Sequence, residues 1–132
     1  MISKIYRLKE KEVKKVLLKG KPFFSYSLVL NQIQNKENFN RFAIIIGGKS
    51  VNNNITRNFF RRLFYNSSKN FIENGEKHFF DSVVLLKKQI KLDKKDKKSI
   101  LNFAGDLDFV LKKAFKKEDE KEIKTFSLKK SI

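Results

Sequence analysis

The stretch from Ile55 to Ile72 constrains this chain more than any other. On a helical wheel of about 100° per residue, Ile55, Phe59, Phe60, Leu63, Phe64 and Phe71 fall within one half of the circle. Arg57, Asn58, Arg61, Arg62, Tyr65 and Lys69 fall on the other. A helix so divided needs a partner layer for its phenylalanine half, while its guanidinium half stays wet. The ordinary alternative is a plain solvated face, but such faces usually interleave Glu with Lys or Arg at four-residue steps. From Asn54 through Asn70 there is no acid at all.

The partner layer is legible on both sides of this helix. Phe23 to Ile33 is aromatic and aliphatic, which predicts a strand; Asn35 to Asn40 is a polar turn; Arg41 to Ile46 predicts a second strand paired with the first as a hairpin. The unbroken run Phe42 to Ile46 predicts burial on both faces. Phe79 to Leu86 is a third strand. Upstream, Leu8, Val13, Val16 and Leu17 share one face of a helix over Arg7–Leu18, stopped by Gly20 and Pro22. Downstream, a last helix starts near Asp96 and carries Ile100, Phe103, Leu107, Val110, Leu111 and Phe115 at three- and four-residue steps. The order is α-β-β-α-β-α, a single α+β domain over residues 1–117, followed by a charged, flexible tail over 118–132.

Charge narrows the function. Lys plus Arg total 31 against 14 Asp plus Glu, a formal +17. Such an excess repels itself in a compact fold unless a polyanion neutralises it, and nucleic acid is the usual one. Codon bias can supply many lysines but not the clustered arginines. Arginine suits RNA because it is always charged, forks onto phosphate oxygens and stacks on bases. The helix start adds free N–H groups and a positive dipole end near Asn53 to Thr56, with Lys49 close by.

Other classes find little support. The absence of cysteine excludes disulfides and thiolate metal sites. No apolar run approaches the ~20 residues of a membrane span, so a cytoplasmic protein is expected. His78 is the only histidine and sits in an expected surface turn; Asp106 and Asp108 lie on different helix faces; Asp93 and Asp96 read as helix-start residues. No phosphate-loop, dinucleotide-cofactor, nucleophile-elbow or zinc pattern is present, so no catalytic or metal-binding side chains are assigned. A peripheral membrane helix would need an exposed apolar face, and here strands are available to bury it.

The segment from Arg41 to Leu63 resembles the bacterial ribonuclease P protein family. The strand start at Arg41, then Lys49, Val51, the Arg57-Asn58 pair and the Arg61-Arg62-Leu63 run match that family's strand, lysine loop and Arg-Asn-Arg helix in register. Arg7-Leu8-Lys9 and Lys19-Gly20-Lys21 are similar to its opening. The departures are Gly48, at the first position of the family's lysine pair, Phe59, at its third motif residue, and Val13 and Leu17, where phenylalanines are common.

The resemblance implies a two-layer α/β sandwich with a left-handed βαβ crossover. It implies a non-catalytic subunit that binds a catalytic RNA through Lys49, Asn53, Arg57, Asn58, Arg61, Arg62, Tyr65 and Lys69. The 5′ leader of precursor tRNA would lie in a cleft lined by Val13, Leu17, Phe23 and Tyr26, with Phe24 less favoured. Mg²⁺ would enter through the RNA subunit, which carries the hydrolysis. A ribosomal or ribosome-associated RNA-binding protein fits the composition equally well; only the register from Lys49 to Arg62 separates the two.

Overall fold

The computed structural model describes residues 3–47, 51, 53–73 and 78–115. The elements run α1 (Glu10–Lys19), β1 (Lys21–Phe24), β2 (Leu28–Gln34), β3 (Arg41–Ile45), α2 (Asn54–Ser68), β4 (Phe80–Leu86) and α3 (Lys97–Ala114), with short 3₁₀ turns at Lys4–Tyr6 and Lys69–Phe71. The fold class is α+β, as expected. The tail over 118–132 lies outside the described residues.

The strands form one sheet in the order β1-β2-β4-β3. β1 and β2 pair antiparallel, β2 and β4 antiparallel, and β3 and β4 parallel, so α2 is the crossover between adjacent parallel strands. Two expectations are corrected here. The span Phe23–Ile33 is two strands, not one, because Ser25-Tyr26-Ser27 reverses the chain: Ser25 N donates to Leu28 O at 2.9 Å, and Leu28 N donates to Ser25 Oγ at 3.0 Å. β2 also does not pair with β3. β4 inserts between them, setting Val84 between Leu30 and Ile44 and Val83 between Asn31 and Ala43.

Alternation divides the sheet into two faces. Leu28, Leu30, Phe42, Ile44, Val84 and Leu86 face α2 and α3 and build the main core with Phe60, Phe64, Phe103, Leu107 and Leu111. Fully burying each such side chain contributes about 1.5–3 kcal/mol. Val16 of α1 meets Ala43 and Val83 on the opposite face, with Leu8, Val13 and Ile33 around them. α1 starts at Glu10, not Arg7. Arg7 is instead bridged to Phe42, and Leu8 N donates to Phe42 O at 2.9 Å, so the preceding segment runs along the outer edge of β3. Lys9 N donates to Glu12 Oε1 at 3.0 Å, closing the helix start.

Helix ends follow their local chemistry. Asp96 caps α3 by accepting from Lys98 N at 3.0 Å, as its position predicted. Asn53 caps α2 by accepting from Thr56 N at 2.8 Å. α2 ends at Ser68, where the chain tightens into the 3₁₀ turn instead of continuing to Ile72; Ser68 Oγ donates back to Phe64 O at 2.8 Å.

Candidate nucleic-acid interface

α2 anchors its inner stripe in the core and leaves cations on its flanks and outer side. Phe60 and Phe64 are fully buried; Phe60 stacks edge-to-face on Phe103, with ring centroids 5.1 Å apart. Asn58, Arg62 and Lys69 are exposed, while Arg57 and Arg61 are half-buried on the flank toward the N-terminal segment. The wheel is therefore right about the phenylalanines and off by a part-turn at the margins. Ile55, expected inside, is 68% exposed, and Thr56 is buried in its place.

Tyr65 is a correction of placement. It was expected on the wet face, but it is only 7% exposed and packs edge-to-face on Phe64 at 5.0 Å. Burial pushes its hydroxyl pKa up, opposed by the nearby charges of Arg61 and Arg7. The N-terminal segment brings Arg7 to this flank, and a wheel built from one helix cannot show that. Tyr65 thus supports the arginines from beneath.

The start of α2 is held tightly. Arg57 Nη1 donates to Asn54 Oδ1 at 2.8 Å and Nη2 to Val51 O at 3.3 Å, while its buried Nε has no hydrogen-bond partner among the described residues. The guanidinium is thereby fixed beside the first turn, where the helix dipole also favours an anion. Asn53 lies at the same end, its side-chain oxygen committed to the cap. Lys49, expected here, lies outside the described residues.

The face carrying α1 holds a second feature. The pairings Phe24 with Val29, Val29 with Leu85 and Leu85 with Ile45 place one apolar row across all four strands. α1 covers the next row over, where Val16 meets Ala43 and Val83, but Phe24 remains 54% exposed and Ile45 is exposed as well. The expectation that β3 is buried on both faces fails at Ile45 for this reason. Leu17 of α1 is exposed and Val13 half-buried beside the same face.

Of the residues expected in this cleft, Phe23 is misplaced. It pairs with Leu30 and packs against the main core, on the opposite face. Phe24 takes the cleft position. Tyr26 sits at the tip of the β1–β2 turn, 82% exposed, between the buried Ser25 and Ser27. Sequence reasoning ranked Phe24 below Phe23 and missed Val29, Ile45 and Leu85; the available signal was strand parity, and it required locating the Ser25–Ser27 turn first.

The remaining polar candidates have structural partners. Asp106 accepts from Ser27 N at 3.1 Å and also from Ser27 Oγ; Asp108 pairs with Lys112 at 3.0 Å; Asp93 accepts from Lys95 N at 2.9 Å. His78 is exposed and its Nδ1 lies 2.8 Å from Gln34 Nε2. Among the described residues, no group of three or more His, Cys, Asp or Glu side chains is placed to share a metal ion, and no helix is long and apolar enough to cross a membrane.

Comparison with known proteins agrees with this architecture. A ribonuclease P protein from Staphylococcus aureus, a mutant with defective mRNA degradation activity, is 25% identical with a TM-score of 0.67; the match covers 84% of this chain and 89% of that one. The S. aureus RNase P protein in another structure is 24% identical, with a TM-score of 0.64 over 83% of this chain and 94% of that one. The Thermotoga maritima RNase P protein in complex with 1-(4-fluorophenyl)-2-thiourea shares the fold at 18% identity, with a TM-score of 0.59 over 81% and 94% of the two chains. No curated protein matches the chain by sequence. The ribonuclease P family profile matches residues 2–114, and the chain belongs to the ribonuclease P protein family.

Proposed function

We propose that this subunit binds the catalytic RNA of ribonuclease P through α2 and guides the 5′ leader of precursor tRNA across the uncovered sheet face, in the cytoplasm. The observation that carries the reading is the acid-free α2, Asn54–Ser68, with Arg57 fixed at its start and Arg61 one turn on. Each arginine that meets a phosphate releases condensed counterions, so affinity follows salt concentration.

The apolar row from Phe24 to Ile45, beside Leu17, suits single-stranded nucleotides. Bases stack on aromatic faces without regard to sequence, as a subunit serving many different leaders requires. Phosphodiester hydrolysis needs metal ions and positioned oxygens; in this reading the RNA carries both, with Mg²⁺ bound to it. The protein contributes by neutralising phosphates and positioning the substrate, which raises effective Mg²⁺ occupancy on the RNA.

Reconstitution tests the reading. The protein is mixed with its cognate catalytic RNA at low Mg²⁺, and cleavage of precursor tRNA is followed. Stimulation over RNA alone is expected. Cleavage unchanged by saturating protein would contradict it.

A further inference from the structure

On the flank of α2 away from Arg57 and Arg61, the residues Ile55, Asn58, Phe59 and Arg62 enclose a hollow of about 270 Å³ with Lys94 of the β4–α3 connection. A neighbouring hollow of about 370 Å³ shares Ile55 and Lys94 and continues past the helix start to Asn53, Asp93 and Lys95. The floor is apolar. Ile55 is mostly exposed, and Phe59 is half-buried, held edge-to-face by Phe60 with ring centroids 5.3 Å apart. The rim is cationic, from Arg62, Lys94 and Lys95. The one acid on it, Asp93, accepts from Lys95 N in its own turn.

Small-molecule sites usually enclose about 300–1,000 Å³ and bury most of the ligand. This hollow lies at the lower limit and opens to solvent at Ile55, so it suits one planar group and not a whole cofactor. An apolar floor within a positive rim matches a nucleobase whose flanking phosphates lie outside it. We propose that this notch seats one unpaired base of the RNA partner against Ile55 and Phe59, with Arg62 and Lys94 on the adjoining phosphates.

Two features favour RNA over a protein partner. The notch is continuous with the basic surface of α2, and its rim carries more positive than negative charge. Phe59 also turns a ring, not a cation, to the notch. A ring cannot hold a phosphate, but it offers a surface to an unstacked base, which RNA loops and bulges display. The inference rests on the proposed binding of catalytic RNA by α2.

The test is equilibrium binding of the cognate ribonuclease P RNA across a salt series, for wild type, Ile55→Ala, Lys94→Ala and Arg61→Ala. Ile55→Ala is expected to weaken binding by about fivefold to tenfold with an unchanged salt slope, since a base contact releases no counterion. Lys94→Ala is expected to lower the slope by about one. Ile55 is exposed, so its variant should melt with wild type. Wild-type binding by Ile55→Ala, alongside weakened Arg61→Ala, would overturn the base seat and leave the α2 interface standing. Wild-type binding by all three would remove both. Ile55→Glu that binds RNA normally but loses self-association in sedimentation would also overturn the base seat, making the notch a contact between copies of this chain.

Discussion

Arg41 and Asp81 lie opposite each other on the parallel strands β3 and β4 and pair fork to fork, with Nε to Oδ1 and Nη2 to Oδ2 both at 2.8 Å. The third nitrogen, Nη1, meets Glu12 of α1 at 2.5 Å, and Asn35 Nδ2 donates to Asp81 Oδ1 at 2.9 Å. One guanidinium thus ties the sheet edge to the helix that borders the uncovered apolar row. The Asp81 hydrogen bonds hold the Arg41 pKa above its ordinary value, against the cost of desolvation. The side chains are 18% and 10% exposed, so solvent screens the pair only weakly.

Asp81→Ala strips the fork while leaving Arg41 in place. Removing one partner of a fully buried pair costs about 3–5 kcal/mol; with Glu12 still present and some exposure, a loss of about 2–4 kcal/mol is expected. Urea unfolding measures it. An unchanged midpoint would show that the clamp adds nothing to stability.

Phe60→Ala tests the inner stripe of α2. Phe60 is fully buried between Phe59 and Phe103. Its truncation is expected to cost about 3–5 kcal/mol. Thermal melting alongside Asn58→Ala, an exposed change on the same helix, separates core loss from helix loss. Equal melting of the two variants would place the stripe wrongly.

Gly20 is required by close approach. A Cβ there would lie 2.5 Å from Val16 O and 3.1 Å from Gln32 N, both backbone atoms. Since neither can swing aside, Gly20→Ala should push the end of α1 off β2 and cost about 1–3 kcal/mol. Denaturant unfolding checks this, and a stability at or above wild type would contradict the packing described for that junction.

Much of this architecture is legible in the chain itself. α3 is clear because its apolar residues recur over several turns and Asp96 marks its start. The phenylalanines of α2 are clear for the same reason. The β1–β2 break is not, because Ser25-Tyr26-Ser27 contains neither Gly nor Pro and is stabilised by the distant Asp106. The insertion of β4 between β2 and β3 is a long-range pairing that no local pattern encodes. The error over Phe23 follows directly, since missing one turn reverses which side chain faces the cleft. Tyr65 was misjudged because its cover comes from the segment carrying Arg7, far away in sequence.

Tyr65 gives a pH signature. Its folded pKa is raised above the ordinary value near 10, chiefly by burial. Below that pH the neutral phenol is present in both folded and unfolded chains, and its full contribution is retained. As pH rises past about 10, the unfolded chain loses its proton first, so stability falls. Tyr65→Phe should lose less stability than wild type between about pH 9 and pH 11. Parallel curves for the two proteins would show that the phenol does not titrate differently on folding.

RNA binding by this subunit depends most on the arginines of α2 meeting phosphates. The direct measurement is the salt dependence of binding to the cognate catalytic RNA for wild type, Arg57→Ala and Arg61→Ala. Each variant is expected to bind more weakly, with the slope of log K against log salt reduced by about one for each lost contact. Slopes identical to wild type in both variants would mean that these side chains touch no phosphate, and the proposed interface would be wrong.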